Sequence, residues 1–193
     1  MYEIKYISLT ILPFIDKIMP KGVIITDVNK IYFDLDGVLA DFDRGLTELC
    51  GMGHVDQNMK NDAVDEEMFS GMRRVGNFYY QLKPIEEGVA LFRKVREKYG
   101  DRCEILSGIP RPERGVVTAK DDKIAWVKRE LGEDVAANIV LRREKILYCT
   151  GKNDFLVDDF VKNIGEWENA GGTGVFCPDA GTAEKTLIEL GIL

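Results

Sequence analysis

Five short apolar runs alternate with helix-like stretches between Lys30 and Leu190, and this alternation constrains the chain more than any other feature. Lys30 to Leu35 reads as a buried strand that meets Gly37. Cys103 to Leu106 reads as a second, ending at Ser107-Gly108, and Asn138 to Leu141 as a third. Phe155 to Val157 is a fourth, followed at once by Asp158-Asp159, and Gly174 to Cys177 is a fifth. Asp41 to Cys50, Glu86 to Tyr99, Asp121 to Leu131, Val161 to Ala170 and Ala180 to Leu190 read as helices. Such alternation implies an α/β fold whose mostly parallel sheet is covered on both faces and joined by right-handed crossovers. A chain of 193 residues makes one domain, or one domain with a small insert. The insert falls after strand one, where residues 51–76 are polar, Met-rich and acidic and read as loops and short helices.

Composition removes several classes of function. Hydrophobic residues make up 45% of the chain and charged residues 31%, which excludes a disordered chain and a fibre. A formal net charge of -7 disfavours a broad grip on polymeric nucleic acid, but not a local phosphate site. The single histidine, His54, weighs against zinc-histidine centres and Ser-His-Asp hydrolysis. Cys50, Cys103, Cys149 and Cys177 are scattered and read as reduced thiols of a cytoplasmic protein. No run approaches ~20 apolar residues, so a membrane span is not expected. The apolar stretch Ile7 to Ile15 is interrupted by Pro13 and closed by Asp16 and Lys17, a poor secretory signal. Residues 1–29 read as an N-terminal arm packed on the domain, or as an extension ahead of a natural start at Met19.

Ligands of open parallel sheets bind beyond the carboxyl ends of the strands. Strand one ends in Asp34-Leu35-Asp36-Gly37-Val38, strand two in Ser107-Gly108 and strand four in Asp158-Asp159. Lys123 opens a helix, and Arg143 and Lys145 follow strand three. Taken singly these are ordinary turn, cap and surface residues. Together they gather four carboxylates, a hydroxyl and several cations at one edge. Four carboxylates so close imply a bound divalent cation or strong pKa shifts, and oxygen ligands suit Mg²⁺.

The ordered set Asp34-x-Asp36-Gly37-Val38, strand-end Ser107, Lys123 and Asp158-Asp159 resembles the haloacid dehalogenase (HAD) superfamily of phosphohydrolases. A response-regulator receiver domain gathers similar groups, but there the acid pair comes first and the lysine last. Within the superfamily, Phe33 to Phe42 (FDLDGVLADF) and Asn77 to Pro84 (NFYYQLKP) are similar to the 5'(3')-deoxyribonucleotidases. So are Lys123 to Val127 (KIAWV) and Ile139 to Lys145 (IVLRREK). The segment between Phe42 and Tyr79 is shorter than that family's helical cap and lacks its tryptophan, and Leu106-Ser107-Gly108 stands where the family usually has Thr-Ser-Pro.

The resemblance implies a three-layer α/β/α Rossmann-like HAD fold, with residues 30–42 and 80–193 as core and 43–79 as a small helical cap inserted after strand 1. It implies a Mg²⁺-dependent phosphomonoesterase, with Asp34 the nucleophile that forms a phosphoaspartate and Asp36 the general acid and base. Mg²⁺ would be held by Asp34, the Asp36 carbonyl and Asp159, with Asp158 behind Asp159. Ser107, the Gly108 N–H and Lys123 would clamp the phosphate, with Lys145 a rival for the lysine role. Phe42 and Tyr79 either stack a base or pack in the core, and Arg143 is a candidate for the sugar or base. Trp126 and Trp167 read as core. The implied substrate is a deoxyribonucleoside monophosphate, with a sugar phosphate or a non-catalytic phosphate-binding module as alternatives. The assembly would be a monomer or a homodimer.

Overall fold

A computed structural model describes residues 27–53 and 62–193. The remainder of the N-terminal arm, with the Ile7 to Ile15 run and Met19, lies outside the described residues, as does His54. The strands are β1 (Lys30–Phe33), β2 (Cys103–Ile109), β3 (Ala137–Leu141), β4 (Asp154–Asp158) and β5 (Thr173–Phe176). They form one sheet of order β3-β2-β1-β4-β5, and every pair is parallel. The sheet is thus fully rather than mostly parallel. β1 and β4 are buried almost throughout, as a sheet covered on both faces requires.

The strand order reverses direction at β1, and the crossovers distribute the helices accordingly. Helices α4 (Glu86–Tyr99), α5 (Ala119–Glu130) and α7 (Ala180–Glu189) cover the larger core with Ile31, Phe33, Ile105 and Val157 of the sheet. Phe33 meets Phe92 of α4 edge-on, ring centroids 5.4 Å apart. Helix α6 (Val161–Asn169) covers the opposite face, where Trp167 packs with Tyr32, Leu106 and Leu156. Both tryptophans are core residues: the Trp126 indole donates to Leu82 O at 2.8 Å and that of Trp167 to Asp154 O at 3.1 Å. All four cysteines are free thiols, two of them buried.

Three helices follow β1. α1 (Phe42–Cys50) starts where the Asp41 carboxylate accepts the Arg44 N–H, and stops at Gly51, whose φ of 70° is left-handed. α3 (Phe78–Gln81) leads back to the core. Between them, α2 (Asp62–Val75) runs for 14 residues where loops and short helices were expected. Its apolar Val64, Met68, Met72 and Val75 recur at helical spacing. Asp62 and Asp65 in the first turn and Arg73 and Arg74 in the last suit the helix dipole.

Two boundaries shift in ways that matter for chemistry. β2 does not end at Leu106, because Ser107, Gly108 and Ile109 pair with Ile139, Val140 and Leu141 of β3. β4 includes Asp158, which pairs with Phe176. At the other end of the sheet, buried Val28 and the Asn29 N–H, bonded to Asn153 O at 2.9 Å, join the core ahead of β1.

Candidate active site

The site lies at the carboxyl ends of β2, β1 and β4, where the strand order reverses. The Asp34 N–H bonds Val157 O at 2.9 Å and extends the β1 ladder by one residue. The chain then turns sharply: Leu35 O accepts from Val38, Leu39 and Ala40, and Gly37 takes a φ of 75°. A Cβ on Gly37 would sit 2.0 Å from Asp159 Oδ2, so only glycine admits that carboxylate beside the turn.

Asp34, Asp158 and Asp159 each bring an oxygen within 4.8 Å of the others. Asp158 is saturated. Its carboxylate accepts from the Phe160 N–H at 2.8 Å, from Asn163 Nδ2 at 2.9 and 3.1 Å, and from Lys145 Nζ at 2.7 Å. Asp159 has no hydrogen-bond or ion-pair partner among the described residues. Burial, reinforced by Asp34, Asp158 and Asp36, pushes it up to about 8. Burial also raises Asp36, with Asp34 adding to it and Lys123 opposing. Asp34 moves the other way: burial would raise it, but Lys145, Lys123 and the Ser107 hydroxyl together hold it below the usual carboxylate range.

The two lysines are placed differently. Lys123 reaches Asp36 Oδ2 at 2.6 Å, Ser107 Oγ at 2.9 Å and Gly108 O at 2.8 Å, and lies 4.6 Å from the centre of the Tyr79 ring. Those three acceptors match its three ammonium donors. Lys145 binds Asp158 and lies 3.0 Å from Asp34 Oδ1, an ion-pair distance outside hydrogen-bond geometry. Burial alone would lower its ammonium pKa, but Asp158 and Asp34 outweigh that and raise it.

A cavity of about 210 Å³ opens over this cluster. Asp34, Asp36, Lys145, Asp159 and Gly108 line it, with Phe42 and Tyr79 on its wall. Ser107 and Lys123 lie beneath, fully buried. The Phe42 and Tyr79 rings pack on one another, centroids 6.2 Å apart and 28° from parallel, so they form one wall rather than two jaws. Arg143 does not line the cavity. Arg142 does, held by Glu166 at 2.7 Å and Asn163 at 3.0 Å. Arg142, Asn163, Met68 and Phe69 were not singled out in the sequence. Arg142 is the first residue after β3, and Asn163 stands five residues after Asp158, within reach once α6 begins at Val161.

The donor set fits a divalent cation. Four carboxylates face two ammonium groups, which leaves two negative charges if all ionise. Asp34 Oδ1 and Asp36 Oδ1 are buried without a hydrogen-bond partner.

No family model matches the chain. A protein of Vibrio phage KVP40, provisionally named a 5'(3')-deoxyribonucleotidase, is 30% identical over 138 residues, covering 72% of this chain and 70% of that protein. The chain belongs to the 5'(3')-deoxyribonucleotidase family. It is thereby a hydrolase of the HAD superfamily acting on phosphomonoesters. The mitochondrial 5'(3')-deoxyribonucleotidase of Homo sapiens is 26% identical over 148 residues, which cover 67% of this chain and 61% of that protein. A solved HAD family hydrolase from Deinococcus radiodurans R1, with bound phosphate and sodium, is 17% identical with a TM-score of 0.47, covering 86% of this chain and 97% of that one.

Proposed function

We propose that the chain dephosphorylates deoxyribonucleoside monophosphates through a phosphoaspartate on Asp34, with Mg²⁺ as cofactor. One observation carries the mechanism: two carboxylates two residues apart line one cavity and are driven in opposite directions, Asp34 toward ionisation and Asp36 toward protonation. That is the division of labour between a nucleophile and a general acid.

In the first step an Asp34 oxygen attacks phosphorus. The bond from phosphorus to the leaving oxygen breaks, and Asp36 gives that oxygen its proton. In the second step water attacks the phosphoaspartate, Asp36 takes a proton from the water, and the bond from Asp34 to phosphorus breaks to release inorganic phosphate. Lys145 touches Asp34 and lines the cavity, so we assign it the contact to the phosphate. Lys123 instead holds Asp36 and the Ser107-Gly108 end of β2 in place, and the Gly108 N–H remains a candidate donor to phosphate. Asp34, Asp159 and the Asp36 carbonyl would hold Mg²⁺, with Asp158 fixed behind them by Lys145 and Asn163. Bound there, Mg²⁺ supplies the positive charge that lets a carboxylate approach a phosphate dianion.

The Phe42–Tyr79 wall, with Phe69, gives a flat apolar leaving group a surface to lie on. Residues 43–79 then act as a cap over the core. Four free thiols suit a cytoplasmic site of action.

The test is phosphate release from a panel of deoxyribonucleotides, ribonucleotides, 3'-monophosphates and sugar phosphates, with Mg²⁺ or EDTA. Preference for deoxyribonucleotides, lost in EDTA, is the expected result. Equal release from sugar phosphates would retain the reaction and overturn the nucleotide assignment. Full activity in EDTA would overturn the role of the metal.

A further inference from the structure

A second and larger space, of about 650 Å³, adjoins the cavity and shares Phe69, Ile109 and Arg142 with it. Five cations line it: Arg111 and Arg114 from the segment after β2, Arg142 and Arg143 after β3, and Lys162 of α6. Asp65 and Glu113 are the acids on its wall. With Glu66 and Glu166, which pair with Arg114 and with Arg142 and Lys162, the local balance is five positive charges against four, still net positive in a chain whose formal net charge is -7. Such local reversal of sign marks an anion site.

The cations differ in how far the protein uses them. Arg142 is held by Glu166 and Asn163, and Arg114 spreads over the Phe69 ring at 4.8 Å and lies 3.4 Å from Glu66. Arg111 and Arg143 are exposed and make no ion pair among the described residues. Two guanidinium groups without an ion-pair partner among the described residues, on a groove beside a phosphate-handling site, suit the oxygens of a second phosphate.

Size points the same way. A cavity of about 210 Å³ is smaller than ordinary ligand pockets, which run from about 300 to 1,000 Å³. It takes the reacting phosphate and the part of the leaving group next to it. Past Phe69 and Arg142, the groove offers room for the rest.

We propose that this groove binds a second phosphate carried on the leaving group, so that nucleoside bisphosphates join the monophosphates as substrates and are bound more tightly than those. The proposal rests on the phosphatase reading above. It adds a subsite and a substrate class to it: one phosphate is hydrolysed over Asp34, while the other is gripped by Arg111 and Arg143 and leaves on the product.

The experiment measures binding and turnover separately. Deoxyadenosine 3',5'-bisphosphate and its two monophosphates are titrated calorimetrically, with Mg²⁺, into the Asp34→Asn variant, which leaves them intact. The bisphosphate should bind at least about tenfold more tightly than either monophosphate, and added salt should shrink that margin. Arg111→Ala/Arg143→Ala in the same background should reduce the margin to within about twofold. Equal affinity for all three compounds, or a margin that survives the double substitution, overturns the proposal. Wild-type turnover is then read on the same compounds. An intact binding margin without any phosphate release would support the groove and overturn the catalytic reading instead.

Discussion

The acidic edge of the sheet and the basic groove beside it are built on opposite plans. At the edge, Asp34, Lys123, Lys145 and Asp158 are almost completely buried, and both lysines are committed to acceptors of the site. In the groove, Arg111 and Arg143 are exposed and make no ion pair among the described residues. Burial makes the edge rigid and electrostatically strong, because charges there are poorly screened. Exposure leaves the groove adaptable and cheap to alter. The proposed chemistry therefore sits where geometry is fixed, and the proposed recognition where it is not.

The largest effect expected from breaking this contrast is on turnover. Asp34→Asn keeps the shape of the nucleophile and removes its attacking charge, and should lower kcat by on the order of 10⁴-fold or more. A phosphate-release assay with near wild-type rates would sink the phosphoaspartate. Next in size is a stability effect at the same edge. Lys145→Met strips two buried carboxylates, Asp34 and Asp158, of their shared cation. Breaking a buried pair in this way costs about 3–5 kcal/mol, or a fall in Tm of roughly 10 °C for a chain of this size. Calorimetry showing a shift of a degree or less would mean that the edge is less committed than its distances indicate.

Much of this edge was legible in the sequence because its residues are tied to strand ends. An apolar run meeting Asp34-x-Asp36-Gly37, and another meeting Asp158-Asp159, must bring those acids together once the sheet is parallel. The contacts of each lysine were not legible. Lys123 and Lys145 are both buried amines near carboxylates. Only the positions of Ser107 and Gly108, which stay in β2 through pairing with β3, show that Lys123 has no donor to spare. Arg142 and Arg143 show the same limit. They are adjacent and chemically identical, and the turn after β3 decides which faces the cavity. Helix α2 was obscured for another reason: Gly71 and a polar, acidic composition masked the spacing of Val64, Met68, Met72 and Val75. The glycine is there because Cys50 of α1 packs close, and a Cβ would lie 2.9 Å from that side chain.

A smaller effect sharpens the contrast with the sign reversed. Asp159 is paired with nothing among the described residues and repelled by three carboxylates, so without metal it opposes folding when ionised. Asp159→Asn should therefore raise Tm in EDTA by about 2–4 °C, the equivalent of about 1 kcal/mol. It should also abolish the stabilisation expected from Mg²⁺ binding to the wild type. Thermal melts with and without Mg²⁺ read both. A lower Tm in EDTA would show that Asp159 has a structural role at the edge.

The smallest effect belongs to the groove. Arg111→Ala removes a cation, as Lys145→Met does, but the guanidinium is exposed and makes no ion pair among the described residues. Its loss leaves no buried acid stranded and opens no cavity. Surface changes of this kind fall within about 0.5 kcal/mol, so Tm should move by no more than about 2 °C. Set beside the roughly tenfold larger cost at Lys145, that outcome would show that position, rather than charge, separates the two regions. A fall comparable to that of Lys145→Met would instead make Arg111 part of the folded framework and remove it from the cations free to meet a ligand.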